Sequence, residues 1–191
     1  MILNETLFRA LNNLAAHSPA WSTVIIFLAT TFSIIVIIIT LVFLFWHKDR
    51  LPASRLRGQE VSGINAWSIF RRRFSEVALV SSSAGTAWVL TKILQYIFHQ
   101  PRPFLALENI NLLFQHGGFD SFPSGHATFF AALATAVFLR HRRAGAFLWI
   151  CALLIGLARV ASGVHFPSDI IAGFVLGATL PFLWSRIFHS S

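Results

Sequence analysis

Apolar residues dominate five stretches of the chain, and each is long enough, or nearly long enough, to cross a lipid bilayer. These stretches lie at 21–46, 75–98, 123–139, 144–161 and 170–188. Because a membrane-crossing helix needs about 20 apolar residues, the pattern predicts about five transmembrane helices. Within residues 1–18 the leucines recur at helical spacing between polar residues, at Leu3, Leu7, Leu11 and Leu14. This spacing predicts an N-terminal amphipathic helix lying in the membrane interface.

The composition supports the same fold class. The 191 residues are 55% hydrophobic and only 12% charged, whereas soluble domains carry about 25% charged residues. We therefore predict an all-α protein, a polytopic membrane helix bundle that forms one domain over residues 1–191. The single cysteine, Cys151, lies inside an apolar stretch, which excludes a disulfide framework and a thiolate metal site.

The positive charge of the chain follows membrane topology. The formal net charge is +8, which taken alone would suggest a nucleic-acid partner. Most of the Lys and Arg residues, however, fall in the 47–74 loop, in the 140–143 turn and at Arg186. These positions share one side if five helices alternate, and that side is expected to be cytoplasmic. We predict a multi-pass protein of the cell (inner) membrane that contacts membrane lipids and binds no nucleic acid.

The histidines divide between the two sides of the predicted bundle. His47, His141 and His189 flank the basic ends of predicted spans and are expected to lie in that interface. The opposite ends, which face the periplasm or the outside in this topology, carry the remaining polar chemistry. They include Arg102, His126, Arg159, His165 and Asp169.

This second group suits a phosphoryl group better than a metal ion. Arginine does not ligate metals, but Arg102 and Arg159 can bind phosphate oxygens with several N–H donors. The backbone N–H groups of Ser124, Gly125 and His126 would open a helix, where the dipole favours an anion. We expect no metal and no cofactor, because phosphoryl transfer relies mainly on positioning and charge stabilisation.

The same group contains a candidate nucleophile and a candidate acid. His165 and Asp169 are four residues apart, so the carboxylate can accept a hydrogen bond from one imidazole nitrogen and leave the other to attack phosphorus. His126 would then protonate the leaving oxygen. Each residue also has a structural alternative: a capping aspartate, a loop histidine, or an arginine that reaches lipid headgroups.

Three blocks of this sequence resemble the signature of the type 2 phosphatidic acid phosphatase superfamily, K-x6-R-P, P-S-G-H and S-R-x5-H-x3-D. They read Gln95-x6-Arg102-Pro103, Pro123-Ser124-Gly125-His126 and Ala158-Arg159-x5-His165-x3-Asp169. The resemblance covers a core of about residues 75–188. It implies a phosphohistidine on His165 oriented by Asp169, a general acid at His126, and phosphate binding by Arg102, Ser124, Gly125 and Arg159.

The sequence departs from this signature at two positions. Gln95 stands where the family has lysine, and Ala158 replaces the usual serine. Lys92 lies one helical turn earlier, and we hypothesise that it partly takes over the lysine role; the alternative is that Gln95 donates an uncharged hydrogen bond. Pro103 and Asp120 are further candidates, Asp120 either orienting a headgroup or His126 or serving a turn.

The short chain is similar to the small bacterial undecaprenyl-diphosphate phosphatase branch of this superfamily. The expected reaction is hydrolysis of undecaprenyl diphosphate to the monophosphate, a step of peptidoglycan biosynthesis. Phosphatidylglycerophosphate, phosphatidic acid and lipid A remain alternative substrates, and a lipid phosphotransferase would use the same residues. A transporter that binds a phosphate-bearing lipid without chemistry is the non-enzymatic alternative. The oligomeric state stays open.

Overall fold

The structure, a computed structural model, describes residues 2–47 and 66–189, and the regular elements within those ranges are all helices. They are α1 (Ile2–Ala15), α2 (Pro19–Ala29), α3 (Thr31–Trp46), α4 (Ala66–Phe98), α5 (Pro103–Ala106), α6 (Gly125–Arg140), α7 (Arg142–Ala161) and α8 (Pro167–His189). Much of the predicted basic 47–74 loop lies outside the described residues, and α4 begins before the predicted residue 75.

Four helical stretches in the described part of the chain are long and apolar enough to cross a membrane. They are Pro19–Trp46, Arg73–Ala106, Arg142–Ala161 and Pro167–Ile187. Helix α6 is apolar but has only 16 residues, about 24 Å of helix. The predicted all-α membrane bundle is confirmed, and its five spans consist of four long ones and the shorter α6.

Helix α6 is surrounded by protein. It packs against α4, α7 and α8, and it is buried almost continuously from Ala127 to Val137. A helix with small residues on several sides allows its neighbours to approach closely. Helix α6 is therefore the axis of the bundle, and its N-terminus is held by three other helices.

Helices α6 and α8 pack closely at two glycines of α8, Gly173 and Gly177, that are four residues apart. A Cβ atom on Gly173 would lie 2.9 Å from the Ser124 carbonyl oxygen, and one on Gly177 would lie 2.1 Å from that of Thr128. Backbone atoms cannot move away as a flexible side chain can. These two glycines therefore allow α8 to lie directly on α6, which brings Asp169 beside Ser124.

The first predicted span is present as the stretch Pro19–Trp46, and it is interrupted at Thr30, where α2 gives way to α3. Thr30 leaves helical geometry (φ −121°, ψ −80°), and its hydroxyl donates to the Ile26 carbonyl oxygen at 2.6 Å. Such side-chain bonds to the preceding turn compete with regular helix geometry. The span also begins earlier than predicted, because Ser18 caps α2 and Pro19 occupies its first turn.

The predicted N-terminal helix is present, but its leucine face is not the packed face. Leu3 is 71% exposed and Leu14 is 58% exposed, whereas Phe8 and Asn12 are buried. The Asn12 amide donates to the carbonyl oxygens of Asn111 (2.7 Å) and Ala161 (2.9 Å). Leu3, Leu7 and Leu14 thus face outwards, while the other side of α1 joins the end of α7 to the loop before α6.

We expect Gly177→Ala to destabilise the protein by about 1–3 kcal/mol, because the new methyl group collides with the Thr128 backbone. Gly85→Ala is the matched control, since a Cβ at Gly85 meets nothing within 4 Å and alanine favours a helix. Thermal unfolding of both variants in the same detergent checks the difference. Equal unfolding temperatures would contradict the close packing of α6 and α8.

Candidate active site

The residues selected from the sequence meet at one end of the bundle, around a cavity of about 630 Å³. The predicted site residues that line it are Lys92, Gln95, Arg102, Asp120, Gly125, His126, Arg159 and His165. Ser124 and Asp169 are fully buried beside it. Four separate parts of the chain supply these groups, and α6, between α4, α7 and α8, holds them together.

Asp169 lies near His165 at the start of α8, where two hydrogen bonds fix its carboxylate. Its Oδ2 accepts a hydrogen bond from the Ser121 hydroxyl at 2.6 Å and from the Phe166 N–H at 2.9 Å. The second of these closes the first turn of the helix in the manner of a capping box. The predicted contact with His165 is present as a 3.5 Å separation between Nδ1 and Oδ2, longer than a normal hydrogen bond.

The other nitrogen of His165 faces a guanidinium. Arg102 Nη1 lies 3.3 Å from His165 Nε2. Because a guanidinium only donates, Nε2 must carry the lone pair, and the proton of the neutral ring is on Nδ1, towards Asp169. Burial, reinforced by the charges of Arg102 and Arg159, lowers the pKa of His165 well below 6.5. His165 is therefore an uncharged imidazole with its lone pair beside Arg102.

Arg102 is largely committed to holding the site together. Its Nε donates to Asp120 Oδ1 at 2.9 Å and its Nη1 to the Val164 carbonyl oxygen at 2.9 Å, while Nη2 reaches the Asp120 carbonyl oxygen at 3.3 Å. The hydrogen bond from Arg102 holds the pKa of the Asp120 carboxyl well below its usual range. Pro103 follows as the first residue of α5. Arg102 thus ties the Asp120 loop to the His165 loop.

Arg159, unlike Arg102, keeps N–H donors that no protein group uses among the described residues. It is 1% exposed, and its guanidinium carbon lies 5.3 Å from the centre of the Phe114 ring. Among the described residues, nothing accepts a hydrogen bond from its Nε or Nη2. A buried guanidinium with unused donors is costly unless an anion completes it. The geometry at Arg159 therefore indicates an anion site in the cavity.

The N-terminus of α6 forms the next wall of the cavity. The Ser124 N–H donates to the Asp169 carbonyl oxygen at 3.0 Å, so the prediction that it is free for phosphate is wrong. The Ser124 hydroxyl has no partner among the described residues and remains a candidate donor. A Cβ on Gly125 would meet only the Thr91 methyl group, at 3.7 Å. Packing therefore does not require this glycine, and its open side leaves room for an anion.

His126 lies in the first turn of α6 and lines the same cavity as His165. Its ring centre lies 6.3 Å from that of Phe130 and 6.3 Å from that of His116. Half-burial, followed by the charges of Arg159 and Arg102, lowers the pKa of His116 to about 4. His116 is therefore neutral at pH 7 and adds no positive charge beside His126.

Gln95 and Lys92 share the position where the signature has one lysine. Gln95 is buried, and its amide donates to the Pro123 carbonyl oxygen at 2.9 Å. Its own oxygen accepts a hydrogen bond from Lys92 Nζ at 3.2 Å. Gln95 therefore positions the turn before Ser124, while Lys92 brings an ammonium group to the cavity wall.

Sequence reasoning missed Ser121 and Phe114. Ser121 holds Asp169 across 48 residues of sequence, and Phe114 lies against Arg159 from a loop without periodicity. The only sequence signal for Ser121 was its position two residues before the Pro-Ser-Gly-His stretch. Nothing in the local pattern distinguished Phe114 from the other phenylalanines.

Comparison with known proteins places this geometry in a family. The sequence profile of the PAP2 superfamily matches residues 76–191, which is more than half of the chain. The chain belongs to the PAP2 superfamily. By its family profile, its relatives and its apolar helices, it is a membrane phosphoric-ester hydrolase of the PAP2 type.

Two curated relatives and one solved structure extend the comparison. Undecaprenyl-diphosphatase BcrC of Bacillus subtilis (strain 168) is 27% identical over 184 residues, which cover 96% of this chain and 83% of that protein. The Bacitracin transport permease protein BcrC of Bacillus licheniformis is 39% identical over 92 residues, so about half of each chain is matched (48% and 45%). The crystal structure of Aquifex aeolicus LpxE aligns with a TM-score of 0.71 at 31% identity, covering 96% of this chain and 95% of that one.

We predict that Arg159→Gln lowers kcat/KM by about 10²- to 10³-fold, because it removes a preorganised cation from the anion site of the PAP2 fold. Arg142→Gln is the matched control, since Arg142 also lies over a phenylalanine ring, that of Phe138 at 5.0 Å, but at the other end of α7. Steady-state phosphate release measures both variants. Similar rates for Arg159→Gln and the wild type would contradict an anion site at Arg159.

Lys92→Ala, measured in the same assay, tests the hypothesis that Lys92 takes over the role of the signature lysine, whose position is occupied by Gln95. An ammonium group at the cavity wall predicts a loss of about tenfold in kcat/KM, or about 1.4 kcal/mol. Lys92→Arg should recover part of that loss because it restores the charge. An unchanged rate in Lys92→Ala would instead indicate that Gln95 alone fills the role of the signature lysine.

Proposed function

We propose that this protein hydrolyses a lipid phosphate or diphosphate through a phosphohistidine on His165, with undecaprenyl diphosphate as the preferred substrate. The observation that carries the proposal is the pair of buried guanidinium groups that line the same cavity as an uncharged imidazole. Arg159 supplies unused N–H donors, and Arg102 lies 3.3 Å from the nitrogen that carries the lone pair. An incoming phosphoryl group would satisfy Arg159 and lie in front of His165.

The first step of the proposed reaction forms the phosphoenzyme. The Nε2 lone pair of His165 attacks phosphorus, and the bond from phosphorus to the leaving oxygen breaks. His126, in its protonated form, gives a proton to that oxygen. The positive charge that develops on the His165 ring is balanced by Asp169, whose Oδ2 lies 3.5 Å from Nδ1. Arg159, Ser124 and the N-terminus of α6 hold the negative phosphoryl oxygens.

The second step releases inorganic phosphate. His126, now neutral, takes a proton from a water molecule, whose oxygen attacks phosphorus from the side that the leaving group occupied. The bond between phosphorus and Nε2 breaks and returns the lone pair to His165. The protonated His126 that results is ready for the next cycle. The same residues would transfer the phosphoryl group to a lipid hydroxyl if an acceptor replaced the water.

The walls of the cavity favour a lipid as substrate. One side is apolar and is formed by the first span, α4 and α6, with Ile34, Ile37, Trp88 and Phe129 among its residues. Ile34 is 60% exposed and Trp88 is 55% exposed, so this wall continues onto the bilayer-facing surface of the bundle. A hydrocarbon chain can therefore remain in the membrane while its phosphate reaches the arginines. The full-length relation to undecaprenyl-diphosphatase BcrC supports the choice of a polyprenyl diphosphate.

The orientation that we propose places the cavity on the periplasmic or outer face of the cell membrane. The support is the asymmetry of Lys and Arg along the chain, which concentrates at the opposite ends of the helices.

A covalent intermediate can be trapped to test the chemistry. Purified protein mixed with substrate labelled in its terminal phosphate and quenched in alkali should retain label, because phosphohistidine survives base and is hydrolysed in acid. His165→Ala should retain none. His126→Ala should retain more label at early times if the leaving group departs without acid catalysis, since water attack then loses its base. A wild-type protein that binds the lipid without label or phosphate release would support the transporter instead.

A panel of lipid phosphates assayed with a metal chelator present tests the substrate. We expect kcat/KM for undecaprenyl diphosphate to exceed the values for phosphatidylglycerophosphate, phosphatidic acid and lipid A by about tenfold or more. His165→Ala serves as the blank for each lipid. Faster turnover of any other lipid would overturn the substrate assignment and leave the phosphohistidine reaction standing.

A further inference from the structure

The end of the bundle opposite the phosphate cavity holds a second group of ionisable side chains. His47 follows the last residue of α3, Glu76 lies in α4, and His141 follows the last residue of α6. His126 and His141 mark the two ends of α6, about 22 Å apart at the rise of an α-helix. The phosphatase reaction uses none of these three residues.

We propose that His47, Glu76 and His141 form a binding site for a zinc-class divalent metal ion. Glu76 Oε2 lies 3.5 Å from His47 Nε2 and 3.4 Å from His141 Nε2, and one ligand atom from each residue lies within 4.8 Å of the others. Two ligands at about 2.0–2.1 Å from a tetrahedral zinc ion are about 3.3–3.4 Å apart. The separations are thus longer than ordinary N–H···O bonds and match a shared metal.

The orientation of His47 supports a metal ligand. Its Nδ1 lies 2.9 Å from the Phe43 carbonyl oxygen, which can only accept, so Nδ1 carries the proton and Nε2 directs its lone pair towards Glu76. The Phe43 ring lies against both imidazoles, stacked on His47 at 4.8 Å and edge-on to His141 at 5.2 Å. The two rings are therefore held in place before a metal binds.

The cluster is largely closed to solvent. The side chains of Glu76 and His47 are only 3% and 9% exposed. The His141 side chain is 22% exposed, which leaves room for water to complete the coordination.

Two imidazoles and one carboxylate favour zinc, nickel or copper over magnesium and calcium. Such an ion would join α3, α4 and the turn between α6 and α7. The site would therefore stabilise the bundle from the end that the catalytic residues do not occupy. Its chemistry is separate from the reaction proposed at His165.

Zinc binding to the full chain tests the proposal. The protein is freed of its affinity tag, placed in lipid nanodiscs, stripped with a chelator and titrated with Zn²⁺ against a chromophoric competitor. We expect one zinc ion per chain and a higher unfolding temperature with zinc. His141→Ala and Glu76→Gln should weaken binding by about a hundredfold. His17→Ala, which removes an exposed imidazole at the other end, and His165→Ala should bind zinc as the wild type does.

Phosphatase activity reports whether each variant at this cluster is folded, and Glu76→Gln preserves shape if His141→Ala does not fold. Co²⁺ in place of Zn²⁺ should give the visible absorption of a tetrahedral site with nitrogen ligands, and Glu76→Gln should change it. Wild-type protein that takes up no zinc, or variants that bind it as tightly as the wild type, would overturn the proposal. Loss of zinc in His165→Ala would move the ion to the catalytic cavity and also overturn it.

Discussion

The structure depends on keeping two guanidinium groups out of water at one end of a membrane bundle. Each is about 1% exposed, and an isolated buried charge is strongly unfavourable. Arg102 is compensated by the Asp120 carboxylate and by backbone carbonyl oxygens. Arg159 has an aromatic face and unused donors instead. The folded protein therefore carries one buried cation with unused donors, and this imbalance supports the proposal that the cavity binds a phosphate group.

The packing of α8 on α6 stabilises the arrangement of groups around the cavity. Gly173 and Gly177 let α8 lie on the backbone of α6, so that the Asp169 carbonyl oxygen accepts a hydrogen bond from Ser124 at 3.0 Å. The same contact fixes Asp169 near His165 and fixes the N-terminus of α6 beside the cavity. Asn12 of α1 then holds the loop and the end of α7 from outside. The side chains of the site are held in position because hydrogen bonds join the ends of the helices that carry them.

Much of the site could be predicted from the sequence, because its chemistry is concentrated in short segments at the ends of spans. Alternating spans placed Arg102, His126, Arg159 and His165 on one face, and the structure gathers them in one cavity. The α8 glycines were also recognisable from their spacing. The division of labour between the arginines was not, since Arg102 and Arg159 have identical donors and differ only in contacts made across the fold.

What the sequence could not supply depends on long-range contacts. The Ser121 bond to Asp169 and the role of Asn12 join segments far apart in the chain, and no local periodicity reports them. The leucine spacing of α1 predicted an interfacial helix but not that Phe8 and Asn12 on its other side pack against the bundle. Thr30 interrupts a uniformly apolar stretch through its own hydroxyl. Glu76, His47 and His141 became a cluster only when α3, α4 and α6 were placed side by side.

A structure of the protein with orthovanadate tests the central claim most directly, since vanadate adopts the geometry of a phosphoryl group under attack. The account predicts vanadium bonded to His165 Nε2, with Arg159 donating to its oxygens and His126 beside the apical oxygen opposite His165. Vanadate held away from His165, or bound without a contact to Arg159, would contradict it.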